Sequence, residues 1–231
     1  MSTYLQLAVL LRQKALDSGT GPSGVTGQTG QLARLVQWIP DAWEEMQKEH
    51  DDWLWMRRSF TVQTVASDGE YAYTDCTDAT TSAVIARFSH WYKDWFQCYL
   101  TSSGVGAEYR LKWVEWDAFK SRYHFGAQND GPPEHVSVNP ARSFVLGPEP
   151  DAIYTVTGDF QLAPQVLAAN GDTPEFPSEF HRLIVYEALM KYGLNSVAPE
   201  KISSAQIESR SLRSALTRQQ RPKIRLGCSL V

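Results

Sequence analysis

The sequence predicts an α+β fold: a helical bundle of two N-terminal and two C-terminal helices, a central β-rich insertion and an extended C-terminal tail. Three observations predict it. Apolar residues recur at intervals of three and four near both ends of the chain, they alternate in the middle, and Pro174, Pro177, Pro199 and Pro222 punctuate the later segments. The expected layout is 1–56 with 176–220 as the bundle, 57–175 as the insertion and 221–231 as a docking tail.

The opening segment reads as a helix because Thr3 and Gln6 have capping-box spacing and Leu5, Ala8, Val9 and Leu16 fall near helical intervals. Asp17 to Gly30 then runs DSGTGPSGVTGQTG, which no regular element tolerates well. We expect a shaped loop in which Gly19, Gly21, Pro22, Gly24, Gly27 and Gly30 fit a neighbouring subunit. It lacks the lysine that a phosphate-binding G-x-x-x-x-G-K-[ST] loop needs, since Val25 follows Gly24. After an N-cap at Thr29, Leu32, Leu35, Val36, Ile39, Trp43 and Met46 form the stripe of an amphipathic helix over about 30–51. Pro40 inside it predicts a kink or local break near Gln37 to Ile39. The opposite face, Asp41, Glu44, Glu45 and Glu49, is expected to be solvated and to favour a basic protein partner.

Past Trp53 the period becomes two. Phe60, Val62 and Thr64, a turn at Ser67-Asp68-Gly69, then Tyr71 and Tyr73 predict a hairpin. Further strands are expected at 84–88, 96–100, 108–113, 135–138, 143–146 and 153–162, with a short helix over 116–125 capped by Gly126. Pro177 suits the start of a third long helix over 178–196, and Ile202, Ala205, Leu212, Ala215 and Leu216 mark a fourth that Pro222 ends.

Composition narrows function. With 42% hydrophobic residues and 8 tryptophans the chain can bury a large core, and a net charge of −4 with pI near 5.7 argues against a protein that mainly grips phosphates. Cys76, Cys98 and Cys228 are odd in number and lack C-x-x-C spacing, so we expect free thiols made in a reducing cytoplasm. The basic residues Arg12 and Lys14 follow the short apolar run, so no signal peptide is expected, and no apolar run approaches the ~20 residues of a membrane span. His50-Asp51-Asp52 offers adjacent ligands, but neighbours on a helix diverge by about 100°. The five histidines show no metal or nucleophile spacing. No catalytic residue, metal or cofactor is expected.

The tryptophan pairs 53/55, 91/95 and 113/116 could be platforms for sugars or bases, although core packing uses the same residues. From Lys201 onward seven basic residues face one acidic residue, Glu208. The tail alternates Ile224 and Leu226 with Lys223 and Arg225. That pattern suits docking on another protein through Arg221, Pro222, Lys223, Ile224, Arg225, Leu226, Leu230 and Val231, the plain alternative being a frayed terminus.

Several motifs resemble a family of phage and prophage head-to-tail adaptor or virion structural proteins: Leu11-Arg12-Gln13, Ser18-Gly19-Thr20-Gly21-Pro22-Ser23, Gly27-Gln28-Thr29-Gly30, and His50-Asp51-Asp52-Trp53 with Trp55-Met56-Arg57. Leu146-Gly147-Pro148 with Pro150, Phe180-His181 and Ile184-Val185-Tyr186 extend the resemblance over most of the chain; Pro40 departs from the pattern. The resemblance implies a structural, non-enzymatic homo-oligomer: a twelve-subunit ring at the head-tail interface, or neck, of the virion. Its C-terminal segment would dock on the portal protein and its β-rich part would face the next tail or neck protein. Genomic DNA would pass through without sequence-specific binding, and no membrane would be involved. The alternatives are a head-closure or tail-completion protein of the same particle, a carbohydrate-binding module using the tryptophans, or a hydrolase whose site forms only in three dimensions.

Overall fold

The structure, a computed structural model, describes residues 1–15, 21–126, 128–196 and 198–222. In chain order its elements are α1 (Tyr4–Ala15), α2 (Gly30–Lys48), β1 (Arg57–Gln63), β2 (Glu70–Tyr71), β3 (Thr77–Asp78), β4 (His90–Trp91), β5 (Gln97–Leu100), β6 (Tyr109–Arg110) and β7 (Lys112–Trp113). There follow α3 (Trp116–Tyr123), β8 (His135–Val138), β9 (Phe144–Gly147), β10 (Tyr154–Gln161), α4 (His181–Asn195) and α5 (Pro199–Gln220). The fold is mixed α+β, and the C-terminal helices pack against the N-terminal ones. Two compact units result: 1–56 with 164–231, and 57–163.

In the helical unit α4 is the central element. His181, Leu183, Ile184, Val185, Tyr186, Ala188, Leu189, Tyr192 and Gly193 are all buried, so the helix is covered on most sides, as expected of one packed among three others. Leu7 and Leu11 of α1 and Leu35, Ile39 and Trp43 of α2 complete the core. Gly193 permits the tight passage into α5, because a Cβ there would lie 2.6 Å from Ile202 Cγ1 and 3.2 Å from the Ala198 carbonyl oxygen. The capping box at α1 forms as its spacing predicts: Thr3 N–H donates to Gln6 Oε1 (3.0 Å) and Gln6 N–H to Thr3 Oγ1 (3.3 Å). Thr29 precedes α2 but makes no side-chain cap bond.

The break expected near Pro40 does not occur, because α2 is helical throughout Gly30–Lys48. Proline leaves the carbonyl four residues earlier without its helical donor. Tyr4 Oη of α1 donates to that carbonyl, Val36 O, at 3.0 Å, and so supplies from outside the helix the bond that Pro40 cannot make.

The β unit holds two sheets. One has the order β3-β1-β10-β5-β6, with β4 also pairing β10; the other is β2-β9-β8-β7, in which β7 and β8 run parallel and the remaining pairs antiparallel. The hairpin expected from residues 60–73 is absent. β1 pairs with β10 and β3, while β2 crosses to β9 in the other sheet. Tyr71 Oη instead closes the loop locally, donating to the Asp68 carbonyl at 2.6 Å and accepting from Val65 N–H at 2.9 Å. Residues 84–88 make only an isolated bridge at Val84, although Ile85 and Phe88 are buried. The strands expected at 96–100, 135–138, 143–146 and 153–162 form nearly as bounded, whereas 108–113 splits into β6 and β7. The core is aromatic and draws on both sheets: Phe60 lies 4.6 Å from Trp91, 5.6 Å from Phe96 and 5.8 Å from Phe144 between ring centroids. Gly158, opposite Phe60, leaves room for that ring, since a Cβ there would sit 2.7 Å from Phe60 Cε1.

Candidate functional site

Of the loop residues expected to meet a neighbour, Gly19 lies outside the described residues. Gly21, Pro22 and Gly24 fit against the chain itself: a Cβ on Gly21 would be 3.3 Å from Val9, Pro22 is buried, and Val25 N–H donates to Asn170 Oδ1 at 2.7 Å. Gly27 and Gly30 differ. They hold φ values of +71° and +60° with open space where a Cβ would stand, so the 26–30 part of the loop presents backbone to its surroundings.

At the other end, α5 exposes Ser203, Ile207, Arg210, Ser214 and Arg218, spaced four, three, four and four residues apart along one face. Ile207 is 75% exposed. The stripe leads to Arg221, whose Nε lies 3.6 Å from Asp52 Oδ1, and to exposed Pro222. Lys223, Ile224, Arg225, Leu226, Leu230 and Val231 lie outside the described residues. The stripe itself was legible from helical spacing once the α5 boundaries were known.

The acidic face of α2 is less available to a partner than expected, because the chain's own cations engage it. Lys48 reaches Glu44 at 2.5 Å, Lys191 reaches Glu45 at 2.6 Å and Arg213 reaches Glu49 at 2.8 Å. Arg213 also pairs with Glu187 at 2.7 Å. Burial works against its charge, but the carboxylates of Glu187 and Glu49 outweigh that and raise its pKa. These contacts tie α5 to α4 and to the end of α2, and they engage Lys191 and Arg213 within the helical unit.

The tryptophans divide. Trp53 is buried, donates Nε1–H to the Met46 carbonyl (3.2 Å) and stacks on Trp55 at 4.2 Å, so that pair is core. Trp91 is core too, while Trp95 is 47% exposed between Arg57 and Arg110. Trp113 and Trp116 are half-buried and line a cleft with Trp91. Histidines serve packing: buried His181 accepts Ser2 N–H on Nδ1 (3.1 Å) and places Nε2 3.2 Å from the Phe176 carbonyl oxygen, and His135 meets Tyr123 Oη at 2.8 Å. Burial raises the Cys76 thiol to about 12 and the Cys98 thiol to about 11, which keeps both protonated and unreactive at neutral pH. Among the described residues no group of three or more His, Cys, Asp or Glu is placed to hold a metal ion, and no helix is long and apolar enough to cross a membrane.

These features define a class: a mixed α+β protein in which the N-terminal and C-terminal helices build one helical unit and the middle forms a two-sheet insertion, with His135, His181, Cys76 and Cys98 engaged in packing. The chain belongs to the SU10 adaptor protein family, which matches it over residues 2–226; this is a family of phage head-tail adaptors, and its role is structural. A search of the curated proteins found no match.

Proposed function

We propose that this chain is the adaptor subunit of a ring, twelve copies in all, that docks on the portal protein at the neck of the virion and joins it to the next tail or neck protein, with genomic DNA passing through the ring. The family match over residues 2–226 carries this reading. The contact loop is the 26–30 backbone with Gly27 and Gly30, and the portal-docking segment begins at Arg221 and continues through Lys223 and Arg225 to Leu230 and Val231. The exposed α5 face with Arg210 and Arg218 supports it, because it leads a basic surface directly into that segment. Twelve weak contacts arranged on a ring hold together, since each later one forms at high effective concentration. The overall charge of −4 is compatible with DNA transit without capture.

The test mixes the purified chain, with and without residues 221–231, with the portal from the same genome and examines the product by negative-stain electron microscopy and native mass spectrometry. Twelve copies bound per portal by the full chain, and none by the truncated one, is the expected result. Failure of the full chain to associate with the portal would overturn the reading.

A further inference from the structure

The cleft in the β unit is the strongest unassigned feature. It has a volume of about 430 Å³, within the range of roughly 300–1,000 Å³ typical of small-molecule sites, and is bordered by Trp91, Trp113, Trp116, Lys93, Glu115 and Arg142, among others. Its aromatic walls are held in place. Trp113 donates Nε1–H to Glu115 Oε1 at 3.1 Å, Trp116 stacks on Phe119 at 6.2 Å and 14°, and Trp91 donates Nε1–H to the Arg142 carbonyl at 2.8 Å. That last bond pins a residue with φ +69°, a conformation uncommon for a side chain bearing a Cβ. Around the rings stand donors, Lys93 and Arg142, and an acceptor, Glu115. Lys93 lies 3.2 Å from Glu115 and 4.8 Å from the Trp113 ring centre; both charged side chains are more than half exposed, so they can exchange these partners for those of a ligand.

The geometry points to a saccharide site: this cleft binds one or two units of a neutral glycan, stacking a pyranose ring on Trp113 and Trp116 and hydrogen-bonding its hydroxyls through Glu115, Lys93 and Arg142. A sugar offers apolar C–H faces together with groups that both donate and accept, which matches rings flanked by both kinds of partner. A purely apolar anchor would leave the charged rim unused. A nucleic-acid strand is disfavoured because residues 57–163 hold nine Lys and Arg against thirteen Asp and Glu, and Glu115 already offsets one of the two cations at the rim. The inference goes beyond the adaptor reading and does not depend on it.

The test titrates the full chain with glucose, galactose, rhamnose, N-acetylglucosamine and their short oligomers, with glucuronate and a ten-residue oligothymidylate as anionic probes, reading tryptophan fluorescence and saturation-transfer NMR. At least one neutral saccharide is expected to bind saturably. Trp113→Ala and Trp116→Ala should each weaken it at least tenfold, and Trp95→Ala, outside the cleft, should leave it unchanged. Glu115→Gln, an exposed change that spares the packing, should also weaken it severalfold, and circular dichroism checks that every variant folds. The proposal is overturned if no neutral saccharide binds, if binding survives both cleft tryptophan variants, or if only an anionic probe binds. Portal association is measured separately, so either reading can fail alone.

Discussion

His181 shows how one residue couples burial to pH. It is 1% exposed, its Nδ1 accepts from the backbone and its Nε2 faces a carbonyl, an arrangement that suits the neutral ring with its proton on Nε2. Burial, aided by the charge of the N-terminal amine, lowers its pKa below the ordinary value near 6.5, although its backbone bonds oppose the shift. His135 is shifted the same way, by burial first and then by Arg122. The unfolded chain therefore binds more protons below about 6.5, so stability is full above that pH and falls as pH drops toward the depressed folded values. Urea unfolding at pH 7.5 and pH 5 should show the loss, and His181→Gln should flatten part of the slope between them. An unchanged slope in the variant would mean that His181 is not a source of it.

At the scale of elements, α2 depends on α1 for one of its own backbone bonds. Tyr4→Phe should cost about 1–3 kcal/mol, because it leaves the Val36 carbonyl buried without its donor. In a Pro40→Ala background the cost should shrink, since the amide of residue 40 then supplies the missing bond; a double-mutant cycle read by urea denaturation measures the coupling. This pair also explains a limit of the sequence reading. Pro40 was visible as a helix breaker, but the tyrosine that compensates for it lies 36 positions away and in another helix. The hairpin failed for a similar reason. Period and turn residues around Ser67-Asp68-Gly69 specify strands and a reversal, not which sheet each strand joins, and β2 finds its partner more than seventy residues later at Phe144 and Val145. What depended on local spacing was legible, including the capping box, the stripe of α2, the span of α4 and most later strands. The cleft was half legible: Trp113 and Trp116 were evident candidates, but only the fold brings Lys93 and Arg142 to them.

For the whole molecule, the insertion begins and ends at one place. β1 and β10 pair antiparallel with Arg57 opposite Gln161, so a short linker can replace residues 57–163. A chain in which a few Gly and Ser residues join Met56 to Pro164 should keep its helical circular dichroism and melt cooperatively; a collapsed, non-cooperative product would mean that the helical unit needs the β unit to fold. Continuity in space is not continuity in time, however. α1 and α2 bury their stripes against α4, which the ribosome delivers more than 130 residues after the end of α2, whereas the β unit is complete once β10 has emerged. At roughly 5–20 residues per second, the leucines and tryptophan of the first two helices wait on the order of ten seconds for their partner. The middle of the protein is thus made ready first, and the two ends of the chain close around a core that only the last third of translation can finish.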